Sequence, residues 1–302
     1  MMRVLLTFIC LLTFARPALA QRLDETPRTA VISAFGPEMT ALKAATADKH
    51  DYVQAGATFT TGVLEGKPVV LFLSGMSMVN AAMTTQAALD RFKVTRVVFS
   101  GIAGGVDPAL DVGDVVVAEQ WGQYLENALA REVAPGKFEP PQGELLAAEK
   151  LPPFGMMYPR GVVVTRAPGQ VERRVWFPAD PAMLATARDV AGKVKLKRCA
   201  AERCLAKEPR VVVGGNGVSG QSFVDNAAVR TWAYDAFAAK VLDMESAAVA
   251  QVAYVNATPF IAFRSLSDLA GGDPGKNQAL TFFQLASDNS AAVVRAFLAA
   301  LP

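Results

Sequence analysis

Between Val241 and Ala250 the chain turns from an apolar run into helical spacing within a few residues: Val241-Leu242-Asp243-Met244-Glu245-Ser246-Ala247-Ala248-Val249-Ala250. The run ending at Leu242 reads as a strand. Asp243 is a good N-cap residue, and Met244, Ala247, Ala248, Gln251, Val252 and Val255 recur at helical spacing. Glu245 then falls in the first turn of a helix that starts where a strand stops. The next segment repeats the form: Thr258-Pro259-Phe260-Ile261-Ala262-Phe263 is a short strand-forming run, and Arg264-Ser265-Leu266-Ser267-Asp268 places Asp268 just past its end. Units of this kind build an open α/β sheet, whose ligands bind outside the carboxyl ends of the strands. Two acids so placed are expected to face one crevice.

The 302 residues, 52% of them hydrophobic, suffice to fill a sizeable core. A net charge of +2 gives no basic stripe for nucleic acid and no acidic tail. Residues 1–20 stand apart: Arg3 precedes an apolar run from Val4 to Phe14, and Ala18-Leu19-Ala20 has the small-x-small form of a cleavage site. This is a secretory signal cut before Gln21, because Arg16 and Pro17 break the run well short of the roughly 20 apolar residues a membrane span needs. The mature chain, 21–302, is expected to be one exported domain, periplasmic or secreted, free of the membrane. It keeps two cysteines, Cys199 and Cys204, close enough in sequence for a local disulfide. Neither a metal nor a cofactor is expected, since zinc would need two further ligands and the only histidine, His50, lies in a polar stretch that reads as a solvated loop or helix end.

In order along the chain, 29–35 reads as the first strand of the mature protein, stopped by Gly36-Pro37, with Glu38 opening a helix through Met39, Leu42 and Ala45. Glu38 is a third acid at a strand-to-helix turn, where a carboxylate also suits the helix dipole. Runs at 57–63 and 69–73 form a hairpin, and Ser74-Gly75-Met76-Ser77 leads into a helix through Ala81, Ala88 and Phe92. A strand at 94–99 is expected to end in a loop, Ser100-Gly101-Ile102-Ala103-Gly104-Gly105, able to offer backbone N–H groups to a ligand. It is not a dinucleotide fingerprint, for the G-x-G-x-x-G spacing fails. Prolines scattered over 125–159 mark a surface excursion with one short helix at 143–150. A strand at 161–165, a helix from Pro181, a strand at 210–213 and a glycine-rich loop over 214–226 follow, with Phe223 near the loop's end as core or as a plate for a flat ligand. The last helix, 279–298, closes the domain.

With a single, poorly placed histidine and no G-x-S-x-G turn, a Ser-His-Asp hydrolase is excluded. What remains at the strand ends is carboxylate: Glu38, Glu245 and Asp268. Paired carboxylates suit glycosidic cleavage, one held protonated as acid and the other ionised to activate water.

Ser100-Gly101-Ile102-Ala103-Gly104-Gly105, Val112-Gly113-Asp114-Val115-Val116-Val117, Asp243-Met244-Glu245-Ser246-Ala247-Ala248 and Arg264-Ser265-Leu266-Ser267-Asp268, in that order, resemble the nucleoside phosphorylase and nucleosidase superfamily. The similarity is closest to the 5′-methylthioadenosine/S-adenosylhomocysteine nucleosidases. It implies a three-layer α/β/α sandwich around a mixed β-sheet, N-glycosidic cleavage of a purine nucleoside, and self-association as a homodimer. On that pattern Asp268 protonates purine N7 with Ser267 orienting it, and Glu38 activates water against C1′. Glu245 accepts hydrogen bonds from the ribose hydroxyls, with Met244 beside the sugar and Arg264 near the acid. Phe223 stacks on the base, Val224 reads its edge through the backbone, and Ser100-Gly101 open the loop that lines the site. Phosphorylases of this superfamily grip phosphate with arginines where this chain has Phe99 with Ser100, and Glu38; a carboxylate facing phosphate is repulsive, so the pattern implies hydrolysis rather than phosphorolysis. Ile102 stands for a small polar residue usual in the nucleosidases, and Gln221-Ser222 for the usual Asp-Ala, which bears on substrate identity. Ser267-Asp268-Leu269-Ala270-Gly271-Gly272 also resembles exported plant storage proteins, so a binding protein on the same fold is the alternative of a different class.

Overall fold

The strand Phe92–Gly105 is the longest in the molecule and the one around which the sheet is arranged. The computed structural model describes residues 21–141 and 150–302; the signal segment and, apart from Lys150, the helix expected at 143–150 lie outside them. Phe92–Gly105 runs parallel to Asp24–Ser33 on one side and to Phe260–Asp268 on the other, and its glycine end pairs antiparallel with Ala239–Asp243. From Asp24–Ser33 the sheet continues through Lys67–Leu73, Ala57–Leu64 and Ala47–Gln54, and from Ala239–Asp243 through Asn216–Ser219, Gln120–Gln123 and Trp176–Pro178. Parallel and antiparallel pairs share this sheet, which is therefore mixed.

Helices cover both faces, as the alternation of the strands requires. Ile32, Val97, Phe99, Phe260 and Ala262 point to the face packed by the helices Met78–Arg91 and Ser246–Val255. Their neighbours Val31, Val98, Ile261 and Phe263 point to the face packed by Gly36–Ala45, Pro181–Ala191 and Ala279–Ala300. The three-layer α/β/α arrangement follows directly from that period of two.

Several local expectations give way to longer strands. The expected loop 100–105 continues the strand Phe92–Gly105, because Phe260–Asp268 supplies partners as far as Asp268 opposite Gly104. By the same pairing Asp268 closes its strand rather than following it. Part of the expected loop at 214–226 is the strand Asn216–Ser219, held between two parallel neighbours. His50 lies exposed on the strand Ala47–Gln54, not in a loop or at a helix end. The excursion at 125–159 carries two ribbons, Asn127–Leu129 with Met157–Pro159 and Arg131–Ala134 with Lys137–Glu139. Cys199 and Cys204 face each other across a short antiparallel ribbon and are joined in a disulfide.

Candidate active site

Where Asp24–Ser33, Ala239–Asp243 and Phe260–Asp268 end, the sheet opens into a cavity of about 460 Å³. Glu38, Glu245 and Asp268, which lie far apart in sequence, all line it, together with Met244, Ser267, Phe223 and Val224. A larger cleft of about 650 Å³ near Lys43 and Met83 carries no carboxylate on its wall and none of these residues. The chemistry is concentrated in the smaller one.

Glu38 sits in the first turn of the helix Gly36–Ala45, 1% exposed. Its carboxylate accepts from the backbone N–H of Ala34 at 2.6 Å, Phe35 at 3.3 Å and Ile102 at 2.8 Å. Burial pushes its pKa up, against the pull of Arg264 and these three donors. The carboxylate is thus fixed in direction while retaining basicity.

Glu245 is not inside the helix, as its spacing suggests, but caps it: Ser246–Val255 begins one residue later. Its side chain makes no capping bond, because Asp243 and Ser219 take that work. Asp243 Oδ1 accepts from the N–H groups of Glu245 and Ser246 and from the Ser219 hydroxyl, and the same hydroxyl accepts from Ala247 N–H. The Glu245 carboxylate is left to turn into the cavity, where it accepts from Ser77 N–H at 2.7 Å. Burial, with Asp243 and Glu38 adding like charge against the attraction of Arg264, pushes it up to about 7.

Arg264 lies fully buried behind the cavity wall and does not line it. Its guanidinium is 2.7 Å from Asp243, 3.5 Å from Glu245 and 3.8 Å from Glu38, and it stacks on Phe99 with 4.0 Å to the ring centroid. Ser100 and Gly101 also stand behind the wall. A Cβ on Gly101 would collide with Arg264 and come within 2.6 Å of Glu38 Oε1, so glycine is required there by the close approach of those side chains. At Gly101 the glycine serves close packing against charged groups, while Ile102, Ala103 and Gly104 of the same segment line the cavity.

Asp268 closes its strand 3% exposed. It accepts from Ser267 Oγ at 2.8 Å and Ala270 N–H at 2.8 Å, with Asn277 Nδ2 at 3.5 Å. Burial pushes its pKa up, with Asp273 reinforcing the shift. Gly271 adopts φ +94 and lets the turn after Asp268 lie directly on the backbone of Asn226, whose N–H reaches Ala270 carbonyl at 3.2 Å. This contact sets the Phe223-Val224 segment beside Asp268. Phe223 is 64% exposed at the cavity, while Val224 is buried. Glu38 packs against Gly101 and Asp268 against Gly104, three residues further along the same strand, and both acids line the one cavity.

Reasoning from sequence misses four contributors. Asp243 was visible as a cap but not as the ligand of a buried arginine. Ser77 and Ser219 act across 168 and 24 residues of sequence and Asn277 from the turn nine residues past Asp268, and no local pattern marks them.

A mixed α/β/α sandwich with carboxylates around a pocket at the ends of its strands defines a class of small-molecule enzyme that works by proton transfer at the end of a sheet. The chain belongs to the phosphorylase superfamily, whose model matches residues 28–299. It is 33% identical over 248 residues, 81% of this chain and 87% of the other, to the 5′-methylthioadenosine/S-adenosylhomocysteine nucleosidase of Bacillus licheniformis. Among solved structures it is similar to the same-named nucleosidase of Neisseria meningitidis in complex with methylthio-immucillin-A, at 25% identity and TM-score 0.67, covering 91% of this chain and 100% of that one. The corresponding enzyme of Colwellia psychrerythraea 34H, in complex with adenine, matches at 26% identity and TM-score 0.67 over 92% and 96%.

Proposed function

We propose that the protein hydrolyses the N-glycosidic bond of a purine nucleoside of the 5′-methylthioadenosine/S-adenosylhomocysteine kind and releases the base. The observation that carries this reading is the convergence of Glu38, Glu245 and Asp268 on one cavity whose described lining holds neither lysine nor arginine. A purine anion is a poor leaving group, and Asp268, whose pKa burial pushes above the usual carboxylate range, is the acid that donates to N7 as the bond breaks. Phe223 stacks on the base beside it. The ribose hydroxyls donate to Glu245, and the sugar becomes oxocarbenium-like, a charge that the buried carboxylates favour. Glu38, aimed by its three backbone donors, takes a proton from a water molecule that attacks C1′. Phosphate in that position would meet a carboxylate, with no lysine or arginine on the cavity wall and Arg264 already engaged by Glu38, Asp243 and Glu245, which speaks against phosphorolysis. The mature chain works outside the cytoplasm after cleavage before Gln21; the leader pattern and the Cys199–Cys204 disulfide support this. It acts as a homodimer covering the exposed Met76, Val79 and Met83 beside the cavity.

The test is a panel of purine nucleosides incubated with the mature protein, with and without phosphate. Free base appears at the same rate in both, with free sugar as the other product, and Asp268→Asn lowers kcat by about 10²–10⁴-fold. A sugar 1-phosphate formed only with phosphate selects a phosphorylase, and retained purine binding with no release from any nucleoside selects a binding protein.

A further inference from the structure

We propose that Ser290, on the helix that closes the sheet, is a positioning residue for the water-activating carboxylate of Glu38. The inference rests on the hydrolytic reading of Glu38 above. Ser290 is completely buried in the middle of Ala279–Ala300, which packs on the same face of the sheet as the helix Gly36–Ala45 that carries Glu38. Its hydroxyl donates to Phe263 carbonyl at 2.9 Å, accepts from Gly101 N–H at 3.1 Å and lies 2.9 Å from the Ser100 hydroxyl. One side chain therefore ties together the two adjacent central strands, Phe92–Gly105 and Phe260–Asp268, from outside the sheet.

The tie sits one residue before the contacts that matter. The residue after Gly101 is Ile102, whose N–H donates to Glu38 at 2.8 Å; the residue after Phe263 is Arg264, the cation shared by Glu38, Asp243 and Glu245. Gly101 itself is wedged against both Glu38 and Arg264. A shift of the 100–102 backbone toward the helix or away from it carries the Ile102 N–H with it and turns the Glu38 carboxylate. Asp268, Phe223 and Val224 are held by the separate contact between Ala270 and Asn226, so base binding does not depend on Ser290. Ser100 and Gly101 thus contribute to the site from behind, through the same hydroxyl.

This separation of roles is readable in kinetics. Displacement of a reacting group by about 1 Å costs on the order of 10²-fold in rate, so Ser290→Ala is expected to lower kcat at least about tenfold while KM stays within about twofold. Weakening the Ile102 donor removes one of the groups that pull the Glu38 pKa down, so the acid limb of the kcat–pH profile moves to higher pH. The other charged groups around Glu38, namely Arg264 with Asp243 and Glu245 beyond it, are unchanged in the variant. Ser287 lies one turn earlier on the same helix, equally buried, with a hydroxyl that has no partner among the described residues, and Ser287→Ala provides the control for a merely structural loss.

The experiment measures kcat, KM and the pH profile of base release from 5′-methylthioadenosine by the wild type, Ser290→Ala and Ser287→Ala in the mature chain. The inference predicts the kcat loss and the shifted acid limb in Ser290→Ala alone. If Ser290→Ala does not yield folded protein, Ser290→Cys, which keeps a weaker acceptor, is expected to show the same shift in smaller degree. A kcat within about twofold of wild type for whichever folded variant is measured, or a loss carried by KM with an unmoved profile, overturns it. A wild type that releases no base overturns the hydrolytic reading and this inference together.

Discussion

Arg264 brings one positive charge to a point where Glu38, Asp243 and Glu245 all end, leaving a buried excess of negative charge beside the place where positive charge develops on the sugar. That arrangement costs stability in the free protein. Glu245 has its pKa raised from 4.5 to about 7, so the folded state binds its proton more tightly than the unfolded state does. A raised acid stabilises the fold fully below its unfolded pKa and loses that contribution as pH rises through the folded one. Melting temperature should therefore fall between about pH 4.5 and about pH 7, and Glu245→Gln should flatten the fall. Differential scanning fluorimetry across that range checks it, and an equal slope in both proteins would assign the effect elsewhere. Each of the three acids was legible as a polar residue at a strand end. What holds them was not: Ser77 N–H reaches Glu245 across 168 residues of sequence, and such separations leave no local pattern.

The strand Phe92–Gly105 and its partner Phe260–Asp268 are longer than their apolar cores, and both extensions run through residues whose composition signals a loop. Glycine is a weak strand former taken alone, but here partners on both sides complete the hydrogen bonding and the missing side chains admit Arg264 and Glu38. Hydrophobic periodicity therefore located the elements and misplaced the ends that form the site. The ribbon holding Cys199 and Cys204 is the opposite case, a disulfide expected from proximity alone. It leans on the closing helix: Lys197 N–H donates to Asn289 at 2.7 Å, and Leu205 packs with Phe282 and Leu285. Replacing both cysteines by serine should cost on the order of 2 kcal/mol, as expected for so short a closed loop, and should leave kcat within about twofold, since neither residue lines the cavity. Urea denaturation with and without reductant measures the first, and base release the second.

At the scale of the whole molecule, the α/β/α sandwich was legible because alternating strand and helix signals and four ordered motifs agree, while the strand Gln170–Arg174 that pairs back on Val162–Ala167 and the ribbons of the excursion were not, their short exposed strands carrying little periodicity. Export is the property with the least support from the fold itself, and it makes a direct prediction: expressed from its own leader in a Gram-negative host, the protein should accumulate in the periplasm with Gln21 as its first residue, as read by intact mass. Retention of Met1 in the cytoplasm would contradict it. The account depends most on three distant acids meeting a single ribosyl purine, and a crystal structure of the mature protein with a non-hydrolysable purine nucleoside tests that most directly. The prediction is a base against Phe223 with N7 within hydrogen-bond reach of Asp268, both ribose hydroxyls on Glu245, and a water between Glu38 and C1′. A ligand bound instead in the cleft beside Lys43, or one whose base lies away from Asp268, would contradict it.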